Sequence, residues 1–493
     1  MTIRIGRRSL LIMGVSSIAG GTVLGAGAAD AARGGSPTVK ITGPITSGSR
    51  GNAFGAATMD LASEGYEEAE YFLEGEARAY EPAPGTLLGK DGRWTLRPAG
   101  AAPFKTRILV ARPKRAADFS GNVILRWQNV SAGFEISPLL RRDLKTGDAY
   151  VAVSAQRVSL DGYPGAERFA MRGWDPARYG GLHHPGDDFS YDIYTQAARG
   201  VGPDRGRLAV DPMAGLKVKR VFAMGGSQSA IRLTSYLNGV QPLEHALHGA
   251  QISVGFGSAA PITSRPGDPP MQRFQSRIRD DLGIPVMLLT TETEAEGLYP
   301  MRQPDTAFFR TWEIAGAAHA GSSGGRGEIV ALFKRDGMPM VPGLDGKNEG
   351  PGPQPNSLSF APVVAASWAY LKRWADGGPP PPSFPLIEFS GDPPHIVRDE
   401  HGNARGGLRM PELEAPTATY RGMNETPGGS GLGGTTTPFP PEELRRLYRN
   451  RADYLAKYGA AVQRGVEAGY ILKQDAPDMI AAADEKWGPL IGQ

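Results

Sequence analysis

The chain of 493 residues contains no cysteine. Disulfides, thiolate metal ligands and a cysteine nucleophile are all excluded, while the compartment stays open. Histidine is scarce too. A histidine general base must come from His183, His184, His245, His248, His319, His395 or His401. An excess of one charge is also missing: 54 Lys and Arg face 51 Asp and Glu, a formal net charge of +3. Such a balance makes no electrostatic case for nucleic acid as a partner. There is no internal repeat. Beyond the N-terminus no segment approaches the ~18 apolar residues of a membrane span, so the remainder is expected to be soluble.

The first 32 residues do not read as part of the fold. Arg7-Arg8-Ser9-Leu10-Leu11-Ile12 has the form of a twin-arginine export signal, and an apolar, Gly- and Ala-rich stretch runs from Leu10 to Leu24. Both Ala26-Gly27-Ala28 and Ala29-Asp30-Ala31 suit a small-x-small cleavage site. The expectation is a signal peptide over 1–32, use of the twin-arginine export machinery, folding before export, and a periplasmic or extracellular mature protein over 33–493. Cleavage after Ala31 lowers the charge from +3 to about +1. An uncleaved N-terminal anchor that retains the protein at the membrane is the alternative.

Glycine and proline, at 67 and 42, are plentiful and cluster in Arg265–Pro270, Pro342–Pro355, Gly377–Pro385 and Pro427–Pro441. These are candidate loops or boundaries. Between the loops lie short, almost continuous apolar runs: Thr106–Ala111, Asn122–Trp127, Ala149–Ser154, Val221–Met224, Ile252–Phe256, Pro285–Thr290 and Arg310–Ala315. Runs of this kind suit strands buried on both faces of a parallel sheet. Helical patterns at Asp192–Arg199 and Gln228–Leu237 alternate with them, which predicts an α/β fold with a mostly parallel central sheet flanked by helices. Loop insertions over 342–440 and a helical C-terminal extension over 441–493 complete the expected domain. The extension reads as helices at Pro441–Tyr458, Tyr458–Ala468 and Ala476–Trp487.

Val221-Phe222-Ala223-Met224-Gly225-Gly226-Ser227-Gln228-Ser229-Ala230 carries the strongest chemical signal. A strand enters a Gly-x-Ser-x-small turn and a helix leaves it, the context of a nucleophile elbow. The turn is tight, so residues two places from the serine must be small; Gly225 is, and Ser229 stands where a second glycine is usual. The other reading is a glycine turn whose serines cap a helix. His319 is the base that fits, on a small-residue loop after the late strand Arg310–Ala315. The acid should follow the strand before, and Thr291-Glu292-Thr293-Glu294 does. Glu294 is preferred, Glu292 is its rival and Glu296 comes third; the order serine, acid, histidine suits this type of fold. For the oxyanion, the expected donors are the backbone N–H of Gln228 and the loop backbone around Asn129 and Val130.

Further stretches extend the pattern: Gly65-Tyr66-Glu67-Glu68-Ala69-Glu70-Tyr71-Phe72, Trp127-Gln128-Asn129-Val130-Ser131, Val153-Ser154-Ala155-Gln156, Arg302-Gln303-Pro304-Asp305 and Arg398-Asp399-Glu400-His401-Gly402-Asn403. With the Ser227, Glu294 and His319 segments, the chain resembles a bacterial family of α/β-hydrolase domain proteins, secreted or cytosolic, usually described as esterases. The resemblance spans nearly the whole mature chain. It implies the α/β-hydrolase fold and a serine nucleophile at Ser227, and it makes Ser229 ordinary for the group. It also implies that Asp is commoner than Glu at the Glu294 position.

The expected activity is cleavage of a small-molecule or lipid-like carboxylic ester through an acyl-enzyme, with no cofactor and no metal. Acyl transfer by the same triad, or a catalytically silent binding protein on this scaffold, are the alternatives. His183-His184 with Asp187-Asp188 lacks metal-ligand spacing and reads as a turn between helices. Asp399–Arg409 reads either as a lining of the active-site mouth, with Arg409 or Asn403 on the substrate, or as a packed surface loop. His245 and His248 flank a helix end and read as structural; Trp127, Trp174 and Trp312 read as core.

Overall fold

A computed structural model describes residues 39–491 except 137, 207, 264–271, 322–325, 341–353 and 425–430. The expected signal segment, 1–32, lies outside the described residues, as does most of the Pro342–Pro355 loop. Nine strands build the central sheet: β1 Lys40–Thr42, β2 Tyr66–Pro82, β3 Leu96–Pro113, β4 Asn122–Trp127, β5 Ala149–Val153, β6 Arg220–Gly226, β7 Gly249–Ser253, β8 Val286–Thr291 and β9 Phe309–Ile314. Their order across the sheet is β1-β2-β3-β5-β4-β6-β7-β8-β9. The pairs from β5 to β9 are parallel, while β1, β2 and β3 join as antiparallel strands.

The reason for the parallel half is visible in burial. Every residue of β8 and β9 is buried, including Glu313, which Arg302 neutralises with a 2.8 Å bond from Nε, and Arg310, paired with Asp305. Helices α1 Ser190–Val201 and α2 Gln228–Ser235 share one apolar cluster with one face of the sheet, and α4 Ala361–Ala375 shares a second cluster with the other, while α3 Glu292–Leu298 follows β8 directly. The C-terminal region is helical: α5 Pro441–Leu447, α6 Arg451–Ala468 and α7 Ala476–Ile491 pack about Tyr448, Tyr454, Tyr458 and Trp487. No helix among the described residues is long and apolar enough to cross a membrane.

Two expectations need correcting. The tail has no helix boundary at Tyr458. The break falls at Tyr448–Asn450, where the Asn450 side chain accepts the Asp453 N–H at 3.0 Å and starts a new helix. The long hairpin of β2 and β3 was read only over Thr106–Ala111. Its charge hides it: Glu70 is buried, bonded by Arg178 Nε at 2.6 Å, Tyr179 at 2.7 Å and Arg107 at 3.3 Å.

Candidate active site

Ser227 sits at the end of β6, one residue before α2, with φ 58° and ψ −120°. A non-glycine residue there is strained by roughly 1–3 kcal/mol. The turn closes on itself. Ser229 Oγ donates to the Gly226 carbonyl at 2.8 Å and accepts the Gly226 N–H at 2.9 Å, so the serine in place of a second glycine staples the elbow. At Gly225 a Cβ would stand 2.8 Å from the Ser229 carbonyl oxygen and 3.2 Å from Leu233 Cβ, which explains why that position is bare.

The three residues read from strand ends come together. His319 Nε2 lies 2.8 Å from Ser227 Oγ, and His319 Nδ1 lies 2.6 Å from Glu294 Oε1. Glu294 is fully buried. Its other oxygen accepts the Thr291 N–H at 2.8 Å and the Thr291 hydroxyl at 2.6 Å, a capping box at the start of α3. An ionised Glu294 is acceptor-only, so His319 Nδ1 carries the proton and Nε2 is left to accept the serine hydroxyl. Phe256 stacks on the imidazole, with ring centroids 5.3 Å apart, and the Arg273 guanidinium lies 4.8 Å from the Phe256 ring centre.

Glu292, the rival acid, faces elsewhere. It accepts from the Gly316 N–H at 2.9 Å, the Gly422 N–H at 3.1 Å and Arg398 Nη1 at 2.7 Å. Gly422 passes so close that a Cβ would meet the Thr293 nitrogen at 2.6 Å. Glu292 thus ties the His319 loop to the chain crossing above α3. Thr293 assists, since its hydroxyl accepts the His319 N–H at 2.9 Å and donates to the Gly422 carbonyl. Glu296 is exposed.

The loop after β4 lies against the elbow, with Asn129 Nδ2 donating to the Gly226 carbonyl at 3.1 Å. The Val130 N–H does not stand open: it donates to Gln228 Oε1 at 3.3 Å. That corrects Val130 as a ready oxyanion donor. The backbone N–H groups of Asn129 and Gln228 have no acceptor among the described residues.

The polar loop Asp399–Arg409 is a packed loop. Arg409 bonds Asp399 and Glu414, at 2.9 and 2.7 Å, and Asn403 is fully buried against Ala418 and Tyr420, which fits neither to a substrate. His184 is buried, its Nδ1 accepting the Gly186 N–H and its Nε2 donating to the Ala155 carbonyl at 2.9 Å; burial holds it below the usual histidine range, hence neutral. His183 pairs with Lys105 through the backbone. Asp187 is held by Arg232 at 3.0 Å and by the Arg157 N–H at 2.9 Å, and no group of three or more potential metal ligands occurs among the described residues. His248 accepts the Val221 N–H at 3.2 Å, and His245 ends a helix with φ 47°. Trp127, Trp174 and Trp312 are core. Sequence reasoning gave no role to Gln156, which it met only inside the Val153–Gln156 stretch, or to Phe256, whose one signal was position, just after the end of β7.

No curated protein matches the chain by sequence. Among solved structures it is similar to acetyl xylan esterase 1 from Thermoanaerobacterium, at 14% identity over 43% of this chain and 71% of that one, TM-score 0.21. It is also similar to one of two fungal esterases from Rhizomucor miehei, at 11% identity over 62% and 85%, TM-score 0.28. Oligopeptidase B from Trypanosoma brucei matches at 11% identity over 57% and 38%, TM-score 0.28. A family model described as an alpha/beta hydrolase domain covers residues 41–481. The chain belongs to this α/β-hydrolase domain family.

Proposed function

We propose that the protein is an exported serine hydrolase that cleaves carboxylic esters through an acyl-enzyme on Ser227. The observation that carries this reading is the continuous linkage Ser227 Oγ, His319 Nε2, His319 Nδ1, Glu294 Oε1, at 2.8 and 2.6 Å. His319 takes the serine proton as Oγ bonds to the ester carbonyl carbon, and the carbonyl oxygen becomes an oxyanion. Collapse of that intermediate breaks the bond to the alkoxy oxygen, which leaves with the proton from His319. Water, deprotonated by the same imidazole, then attacks the acyl carbon and releases the acid and the serine. Glu294 holds the ring in the required tautomer and stabilises its cation. Export rests on the Arg7-Arg8 segment alone.

A fluorophosphonate probe tests the nucleophile. Wild type is expected to label and Ser227→Ala not to; equal labelling of the two, or none of wild type, overturns the reading. An ester panel from short p-nitrophenyl esters to long-chain and methyl esters then gives the acyl and alcohol preference, with product analysis in the presence of alcohol acceptors separating hydrolysis from transfer. Arg7→Lys/Arg8→Lys is expected to leave the protein in the cytoplasmic fraction.

A further inference from the structure

Behind Ser227 runs a chain of buried side-chain amides whose orientation follows from one donor. Trp127 Nε1 is donor-only, and it lies 3.1 Å from Gln156 Oε1. The Gln156 amide is thereby fixed with its oxygen toward Trp127 and its NH2 turned to the Asp187 carboxylate, which it helps to keep low. The same Gln156 Oε1 accepts Gln228 Nε2 at 2.9 Å. The Gln228 amide is fixed in turn, with Oε1 toward the loop after β4, where it accepts the Val130 N–H at 3.3 Å. Gln156 and Gln228 are 1% and 3% exposed, so no water competes for these bonds.

The far end of the chain is anchored. Burial by itself would raise the Asp187 carboxyl, but the Arg232 guanidinium above all, with the Arg157 N–H and the Gln156 amide, holds it below the ordinary carboxylate range. It therefore stays an ionised acceptor for Gln156. Arg232 belongs to α2, the helix that begins beside Ser227, so the anchor and the nucleophile ride on one element.

We propose that Gln156 is a positioning residue for the oxyanion site: it sets the Gln228 amide, which captures the Val130 N–H and clamps the loop so that the backbone N–H groups of Asn129 and Gln228 are the two donors left for the oxyanion. This rests on Ser227 being the nucleophile. Asn129 is drawn to the same place by its own side chain, through the bond to the Gly226 carbonyl. An N–H already spent on Gln228 is a poor oxyanion donor, whereas one without an acceptor is held ready at no cost in reorganisation.

The test compares Gln156→Leu, Gln228→Leu and the double variant on the p-nitrophenyl ester that wild type cleaves fastest. A phenyl trifluoromethyl ketone, whose serine adduct bears an oxyanion, serves as the second probe. Each single variant is expected to lower kcat about 10- to 100-fold with KM within about twofold, and to raise the ketone Ki in parallel. The double variant should be no worse than the worse single one, because both remove one device. Gln156→Met keeps the side-chain length but removes the acceptor for both Trp127 and Gln228; it is expected to lower kcat too, and it carries the test if Gln156→Leu fails to fold. Retained kcat overturns the proposal, as does a loss that appears in KM with the ketone Ki unchanged, or losses that multiply in the double variant. A rise in kcat on Gln228→Leu also overturns it, because Gln228 would then be competing with the oxyanion for Val130. If Ser227 is not the nucleophile, wild type fails to label or Ser227→Ala labels equally, which separates the two failures.

Discussion

Glu292 and Glu294 stand two residues apart, both buried, and substitution of each should fail in a different way. Glu292→Ala leaves the N–H groups of Gly316 and Gly422 without an acceptor and Arg398 without its carboxylate. A buried N–H left unsatisfied costs about 1–3 kcal/mol. Arg398 is 24% exposed in its side chain, so water recovers most of its loss. The sum is about 4 kcal/mol. For a chain of this length the unfolding entropy near 60 °C is roughly 1 kcal/mol per kelvin, so Tm should fall by about 4 °C. The Ser227 to Glu294 linkage is untouched, and kcat of the folded fraction should drop less than tenfold. Glu294→Gln is the mirror case. It keeps an oxygen for the Thr291 cap, so Tm should move by about 1 °C, while a neutral amide in place of the carboxylate favours the wrong imidazole tautomer and should cost about 10⁴ in kcat. Thermal unfolding and steady-state turnover on the same preparations read both. If Glu292→Gln abolished turnover at unchanged Tm while Glu294→Gln stayed active, the assignment of the acid would be refuted.

Two other outcomes follow from strain and titration. Ser227→Gly and Ser227→Ala both remove the hydroxyl and should both be inert, but only glycine is at ease at φ 58°, so in urea unfolding the glycine variant should be the more stable by about 1 kcal/mol. Burial pushes the Glu68 carboxyl up to about 7, against the lowering effect of the Ala57 N–H, Arg107 and Arg335. The folded state therefore holds this proton more tightly than the unfolded one. Its contribution is complete below about pH 4.5 and is lost as pH rises through 7. Glu68→Gln should flatten the stability profile between pH 5 and 8 and raise stability at pH 8 by about 1–2 kcal/mol, after allowing for the part of the side chain that reaches water. An unchanged pH profile by urea unfolding would refute this.

Why the parallel strands and the linked residues were legible in sequence is physical. Strands buried on both faces carry polar groups only where these are paired, so they print as nearly continuous apolar runs, and a residue needed at the sheet's edge must follow such a run directly. Glu294 and His319 are found by counting from β8 and β9. The hairpin of β2 and β3 was not legible in full, because Glu70, Arg107 and Arg178 neutralise one another inside it, and a paired buried charge looks in sequence like a solvated one. The bond from Val130 to Gln228 joins residues 98 apart through side-chain geometry that no local pattern encodes. The break between α5 and α6 was missed for a smaller reason: a single Asn450 cap interrupts an amphipathic pattern that otherwise continues.

The capping box at α3 has a further consequence. One oxygen of Glu294 closes the first turn of the helix, and the other holds the imidazole. Fraying of that turn and misplacement of the base are thus a single event, with a single equilibrium constant. Local opening of a helix end requires less free energy than global unfolding. Rising denaturant should therefore silence the site while the sheet is still intact, and exchange of the α3 amides with solvent deuterium would report on the fraction of molecules that are chemically competent at any moment.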